Sequence, residues 1–132
     1  ILWLNLTGSG NETAAHLLDI NRLTLMWCAF EGNPLILRAY GSATAVHPRD
    51  DDWQRCAAVI EPPLGARQYF RVRIDLVQTS CGYAVPFFDY REDRQVLSRW
   101  SQKRGEDGVE AYWQDRNQRS IDGLPTGILE EG

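Results

Sequence analysis

The sequence predicts a mainly β, mixed α+β fold, in which antiparallel strands close into a small barrel with short peripheral helices and a helical C-terminal segment. Residues 68–79 alternate between apolar and polar side chains, which is typical of a strand with one buried face. Two apolar segments, residues 22–30 and 35–46, are joined by a turn too short for a parallel crossover, so they predict an antiparallel hairpin. Several such strands can close on themselves into a barrel.

Two periodicities in the sequence define the individual elements. The segments with strand-like patterns are residues 1–6, 22–30, 35–46 and 68–79. The segments with helical patterns are residues 12–20, 50–59, 93–104 and 106–117. The uninterrupted apolar run at 22–30 predicts a strand covered on both faces. Gly41 predicts a bulge or bend in its strand, and Gly105 predicts the end of the first C-terminal helix.

One face of the alternating strand is expected to be buried throughout. The apolar residues on that face are Phe70, Val72, Ile74 and Leu76. At the first helix, Ser9 followed three residues later by Glu12 is a capping-box pattern, and Asn11 is an alternative N-cap.

Length and composition indicate one domain, residues 1–132, with barrel strands and helices up to residue 80 and a loop plus C-terminal helices over 81–132. The chain opens on apolar residues without an initiator Met, so we expect the domain to be N-terminally incomplete. The net charge of -4 argues against nucleic acid or an anionic membrane surface as a partner. No apolar run reaches the roughly 18 residues of a membrane span. Three widely spaced cysteines predict reduced thiols in a cytoplasmic protein.

No metal site is predicted, because neither histidine has a potential ligand at helical spacing. His16 and His47 each lack a second ligand three or four residues away. Cys81 has no histidine nearby in the sequence that would activate it as a nucleophile.

Several segments in a fixed order carry a family resemblance. They are a strand, Thr7, a glycine/serine loop and a short helix ending His16-Leu17, then Asp19-Ile20-Asn21-Arg22-Leu23-Thr24-Leu25, Glu31-Gly32-Asn33-Pro34 and Leu37-Arg38-Ala39-Tyr40-Gly41-Ser42-Ala43. In this order, over residues 1 to about 80, they resemble the pyridoxamine 5'-phosphate oxidase-like family of FMN-binding split barrels. The segments 79–86 and 120–125 resemble an uncharacterised subgroup of that family. This resemblance implies that the predicted barrel is an antiparallel split β-barrel.

The resemblance implies a homodimer with FMN at the subunit interface, a flavin-dependent oxidoreductase activity and a small-molecule substrate. In such proteins the FMN phosphate meets the loop and helix start that correspond here to residues 7–13. The implied cofactor-binding residues are Thr7, Ser9, Asn11 and Thr13. Glycines in that loop let backbone N–H groups turn toward an anion, and a helix N-terminus carries partial positive charge.

The alternative is a non-catalytic, dimeric split-barrel scaffold or ligand-binding module that has lost the flavin phosphate site. Flavin-binding members usually carry an Arg-Lys pair where this chain has Glu12-Thr13, and this difference favours the alternative. The Ser9–Glu12 segment is compatible with a plain helix cap and with a cap that also binds an anion. Haem or a deazaflavin on the same barrel is a third interpretation. Because a flavin carries its own redox chemistry, no catalytic side chain is predicted.

Overall fold

Four antiparallel strands form the framework of the protein, as a computed structural model that describes residues 1–129 shows. The elements in chain order are β1 (Leu2–Leu6), α1 (Glu12–Asp19), β2 (Leu23–Cys28), β3 (Leu35–Val46), α2 (Trp53–Ala57), β4 (Ala66–Cys81) and α3 (Val96–Arg116). The strands lie in the order β1-β4-β3-β2. The sheet curls into a half-barrel, which confirms the predicted mainly β, α+β split-barrel class.

The predicted hairpin is present, but its first strand is more exposed than expected. β2 pairs with β3 in antiparallel register from Leu23 opposite Gly41 to Cys28 opposite Ile36. The prediction that β2 is covered on both faces is wrong, because β2 is the last strand of the sheet and Met26 and Trp27 are 56% and 46% exposed. An apolar run reports hydrophobicity but not the position of its strand in the sheet.

The bulge predicted at Gly41 is confirmed. Tyr40 pairs with Leu76 and Gly41 with Ile74, so Asp75 is an extra residue on β4. A Cβ atom on residue 41 would lie 1.8 Å from the backbone oxygen of Arg73, so the strands approach each other here as only glycine allows.

This bulge reverses the face on which the following residues of β4 lie. Phe70 and Val72 are buried in the core, and Ile74 packs against it, as predicted. Leu76, predicted on the same buried face, is instead 59% exposed. The extra residue Asp75 turns Leu76 to the opposite face and places Val77 on the core side opposite Ala39. Val77 is also 58% exposed, so beyond Ile74 neither face of β4 is covered.

The first helix is held by its packing on the sheet. Ala14 and Leu17 of α1 contact Ala43, Phe70 and Val72 of β3 and β4 in one buried cluster. Full burial of a side chain the size of Phe70 contributes roughly 1.5–3 kcal/mol. The N-terminal end of α1, and the loop that precedes it, therefore have a fixed position over the end of the barrel.

The C-terminal helix consists of two segments, as predicted from Gly105. Gly105 has a φ of 69°, in the left-handed region, and interrupts α3 between its two halves. Trp100 from the first half and Tyr112 from the second meet edge to face at 5.0 Å, and the Arg104 guanidinium lies 4.7 Å from the Trp100 ring centre. Within residues 1–129 no helix combines the length and the apolar character needed to cross a membrane.

His47 follows β3 and is buried. Burial lowers the pKa of His47 below 6.5, and the nearby positive charge of Arg49 lowers this pKa further. The Asp50 carboxylate raises the pKa of His47 and offsets part of this effect. His47 is consequently favoured in its neutral form in the folded state.

We expect the stability of the folded state to decrease as the pH falls below 6.5 toward the lower folded-state pKa of His47, because the unfolded chain then binds the proton more readily. Above that window His47 is neutral in both states and adds no pH dependence. Urea unfolding at about pH 7.5 and about pH 5.5 measures the difference. The difference in unfolding free energy between the two pH values should be smaller in His47→Gln and unchanged in the exposed control His16→Gln. An undiminished difference in His47→Gln would contradict the assignment.

Candidate functional site

The loop between β1 and α1, residues 7–11, lies along an open cleft of about 430 Å³. Thr7, Gly8 and Ser9 line one side of this cleft. The other side is formed by Arg94 and by side chains of α3, including Trp100. The loop that the sequence singled out therefore borders a space large enough for a small organic ligand.

The four residues predicted to bind the cofactor have different environments. Thr7 is buried; its hydroxyl donates to the Gly65 carbonyl at 2.7 Å and accepts from the Trp113 indole N–H at 2.9 Å. Ser9 is exposed and lines the cleft, and Thr13 is half-buried in the first turn of α1. The fourth residue, Asn11, is buried. The cofactor-binding role of all four stays a prediction.

Asn11 fixes the start of α1 from inside the protein. It is buried, and its amide group exchanges two hydrogen bonds with the Gln68 side chain, at 3.3 and 2.7 Å. Asn11 occupies the N-cap position, as the alternative reading of the sequence predicted, but its side chain makes no capping hydrogen bond. Because the Asn11 side chain is hydrogen-bonded to Gln68, it does not cap the first turn of α1.

The capping box predicted for Ser9 and Glu12 is wrong. The Glu12 carboxylate accepts the backbone N–H of Ile121, with its two oxygens at 3.2 and 3.1 Å from that nitrogen. This contact crosses 109 residues, so a local sequence pattern could not reveal it. The carboxylate is held by the C-terminal turn, and Glu12 is not among the residues that line the cleft.

A buried arginine behind the loop was missed by the sequence analysis. Arg67 is the extra residue of a second bulge in β4, where Asn5 pairs with Gln68 and Leu6 with Ala66. Bulges redirect side chains, and here the guanidinium turns inward and is 4% exposed. In the sequence, Arg67 and Gln68 are two polar residues at the start of a strand. Without knowledge of the bulge, nothing in this pair indicates that Arg67 is buried.

Within residues 1–129 the acceptors of the Arg67 guanidinium are all neutral. Nε and Nη2 donate to the Asn5 side-chain oxygen at 3.0 and 2.8 Å, and Nη1 donates to the Gly10 carbonyl at 2.6 Å and the Asn117 side-chain oxygen at 2.8 Å. Within residues 1–129 no carboxylate forms an ion pair with this side chain. Burial lowers the pKa of Arg67 to about 10, so the group is still charged at neutral pH.

Arg67 and Asn117 determine which way the loop peptides face. Arg67 holds the Gly10 carbonyl inward, and the Asn117 amide donates to the Gly8 carbonyl at 3.0 Å. No peptide bond in the described chain is cis, and a trans peptide directs its N–H opposite to its C=O. The N–H groups of Ser9 and Asn11 consequently point away from the protein interior. Outward N–H groups in a glycine loop at a helix N-terminus are a recurrent anion-binding arrangement.

The fold and this loop together define a class of protein: a split-barrel protein with a candidate anion site between its first strand and first helix. Pyridoxamine 5'-phosphate oxidase family protein ustO of Aspergillus flavus is 30% identical to the chain over 143 residues. The match covers 95% of this chain and 56% of that relative, so the chain spans just over half of the relative's length. The chain is a homologue of pyridoxamine 5'-phosphate oxidase family proteins, which confirms the resemblance seen in its sequence. No family model and no solved structure matches the chain.

Proposed function

We propose that this chain is the FMN-binding part of a flavin-dependent oxidoreductase that acts on a small molecule. The observation that carries the proposal is the orientation of the loop, in which the inward carbonyls of Gly8 and Gly10 leave the N–H groups of Ser9 and Asn11 facing outward. The relative's family name supports flavin chemistry for the same fold. Bound FMN would supply the electron transfer, while the protein binds, orients and shields it.

The loop suits a phosphate group, and the cleft suits the rest of a flavin. The N–H group of the exposed Ser9 and the first turn of α1 offer a hydrogen bond and partial positive charge to an anion, whereas Asn11 is 2% exposed. The exposed Ser9 hydroxyl lies on the same side. Trp100, which lines the cleft, offers an aromatic surface for a planar ring.

We also propose that the protein acts as a homodimer. Large apolar side chains are exposed on both faces of the sheet, Trp27 and Val77 on one face and Met26 on the other. Contiguous exposed apolar side chains in a soluble fold commonly mark a contact with another chain.

Cofactor uptake distinguishes the oxidoreductase from the alternative, a split-barrel scaffold without a flavin site, which the Glu12-Thr13 sequence favours. The full-length protein is purified, its visible absorbance is recorded, and FMN is added while the quenching of flavin fluorescence is followed. A yellow protein, or saturable uptake of added FMN, supports the oxidoreductase. A colourless protein that takes up no FMN overturns it in favour of the scaffold.

Ser9→Asp is expected to weaken FMN binding by about tenfold or more, because it places a negative charge beside the loop that receives the phosphate. Ser9→Asn is the matched control, since it has nearly the same shape and no charge, and it should change the affinity by less than about threefold. Ser9 is exposed, so neither variant should alter the fold. Equal affinities for Ser9→Asp and Ser9→Asn would place the phosphate elsewhere.

A further inference from the structure

We propose that Arg67 makes this site selective for a phosphate-bearing flavin over an uncharged one, acting as a positioning residue from behind the loop. The inference rests on the proposed function and extends it to the preference for FMN over riboflavin, which has the same ring system without the phosphate. Arg67 acts through its positive charge, and its side chain need not contact the ligand.

The charge of Arg67 differs from that of the surface arginines. Arg71, Arg73 and Arg116 each lie within 4.0 Å of a carboxylate and have side chains that are 45–77% exposed. Their fields are reduced by the paired acid and by water. Arg67 is buried, and within the described residues its hydrogen bonds go to amide and peptide oxygens only. Its full positive charge is therefore weakly screened inside the protein.

This charge lies directly beneath the loop. Nη2 of Arg67 is 4.0 Å from the position that a Cβ atom on Gly8 would occupy, and Nη1 contacts the Gly10 carbonyl. The field of the guanidinium and the outward N–H of Ser9 favour an anion on the same side, and they act against the Glu12 carboxylate, whose Oε1 lies 2.8 Å from the position that a Cβ atom on Gly10 would occupy. A phosphate carries close to two negative charges, so its binding would offset the cost of a buried cation.

Asn5 is the residue that leaves this charge available. Its side-chain oxygen accepts three hydrogen bonds, two from Arg67 and one from Gln68. An aspartate at position 5 would present an oxygen in the same place and would also neutralise Arg67. The substitution Asn5→Asp therefore removes the proposed function of the charge while it preserves the hydrogen bonds.

The experiment measures the affinities of the full-length protein for FMN, riboflavin and inorganic phosphate, before and after Asn5→Asp. We expect Asn5→Asp to weaken FMN binding by about tenfold and to leave riboflavin binding within about twofold. Asn33→Asp, in the exposed turn between β2 and β3, makes the same change in net charge and should leave both affinities unchanged. Arg67→Lys keeps the charge without the planar fork and should retain a preference for FMN, which tests the proposal even if Asn5→Asp fails to fold.

The outcomes separate this inference from the proposed function. If the unaltered protein binds FMN and Asn5→Asp keeps its preference over riboflavin, the role of Arg67 is overturned and the flavoprotein proposal stands. Loss of the preference in Arg67→Lys would also overturn it. If the unaltered protein binds neither flavin, the proposed function fails, and the affinity for inorganic phosphate then tests the role of the Arg67 charge. If the unaltered protein binds phosphate and Asn5→Asp weakens that binding, the proposed role of the Arg67 charge is supported. If phosphate does not bind, or binds equally well to Asn5→Asp, that role is overturned.

Discussion

Replacing Arg67 with methionine is expected to lower the free energy of unfolding by about 3 kcal/mol or more. The substitution fills similar space but leaves the Gly10 carbonyl and the Asn117 side-chain oxygen without the donor they share. Each unsatisfied buried acceptor costs about 1–3 kcal/mol. The loop also loses the contact that holds Gly10 inward, so FMN binding should fall together with stability.

Urea unfolding of the protein without flavin measures this loss directly. Arg55→Met is the control, because Arg55 pairs with Asp52 at the surface and its side chain is 84% exposed. That pair should contribute no more than about 0.5 kcal/mol. Arg67→Lys should fall between the two, since it keeps the charge but reaches fewer acceptors. A loss of less than about 1 kcal/mol in Arg67→Met would show that the buried network adds little to stability.

Gly41→Ala is expected to destabilise the protein by about 3 kcal/mol, because the added methyl group has no space. The Cβ atom would lie 1.8 Å from the Arg73 oxygen, 2.9 Å from its carbonyl carbon and 3.2 Å from the Ile74 Cα. All three are backbone atoms, so no side-chain rotation relieves the overlap. β3 and β4 must separate locally, and the bulge that exposes Leu76 should be lost or shifted.

Thermal and urea unfolding of Gly41→Ala measure the effect, and Ser42→Ala is the matched control. Ser42 is the next residue of the same strand, pairs with Arg73 and changes to alanine without added volume. The unfolding free energy of the Ser42→Ala variant should differ from that of the unaltered protein by less than about 1 kcal/mol. Wild-type stability in Gly41→Ala would mean that the strands are further apart at the bulge than the structure has them.

Local patterns predicted those parts of the fold that depend on local physics. The turn at residues 31–34 limits how its strands can pair, and Gly41 and Gly105 mark places where a backbone needs close approach or a positive φ. The exposure of β2 depends on the order of strands in the sheet, which no single segment specifies. The face on which Leu76 lies depends on the extra residue Asp75, and the alternation of apolar and polar residues does not show that Asp75 is unpaired.

The candidate site could be predicted in part for the same reason. Two glycines before a helix indicated the loop, because their backbone freedom is a local property. Arg67 was not predictable, because its burial requires the bulge opposite Asn5 together with Asn117, which is 50 residues away. Thr7 and Asn11 were predicted to face a ligand, but Trp113 and Gln68 engage their side chains, and both partners are distant in the chain.

The contacts that shape the loop have a consequence for the order of events during synthesis. Gly8 is anchored by Asn117 and Glu12 by Ile121, each across 109 residues, and Thr7 meets Trp113 across 106. While the ribosome is still making the second half of α3, the loop has already emerged but lacks these anchors. Closing such long intervals is slow compared with forming the β2–β3 hairpin. The candidate anion site is thus a late product of folding, assembled only when residues 113–121 return to residues 7–12.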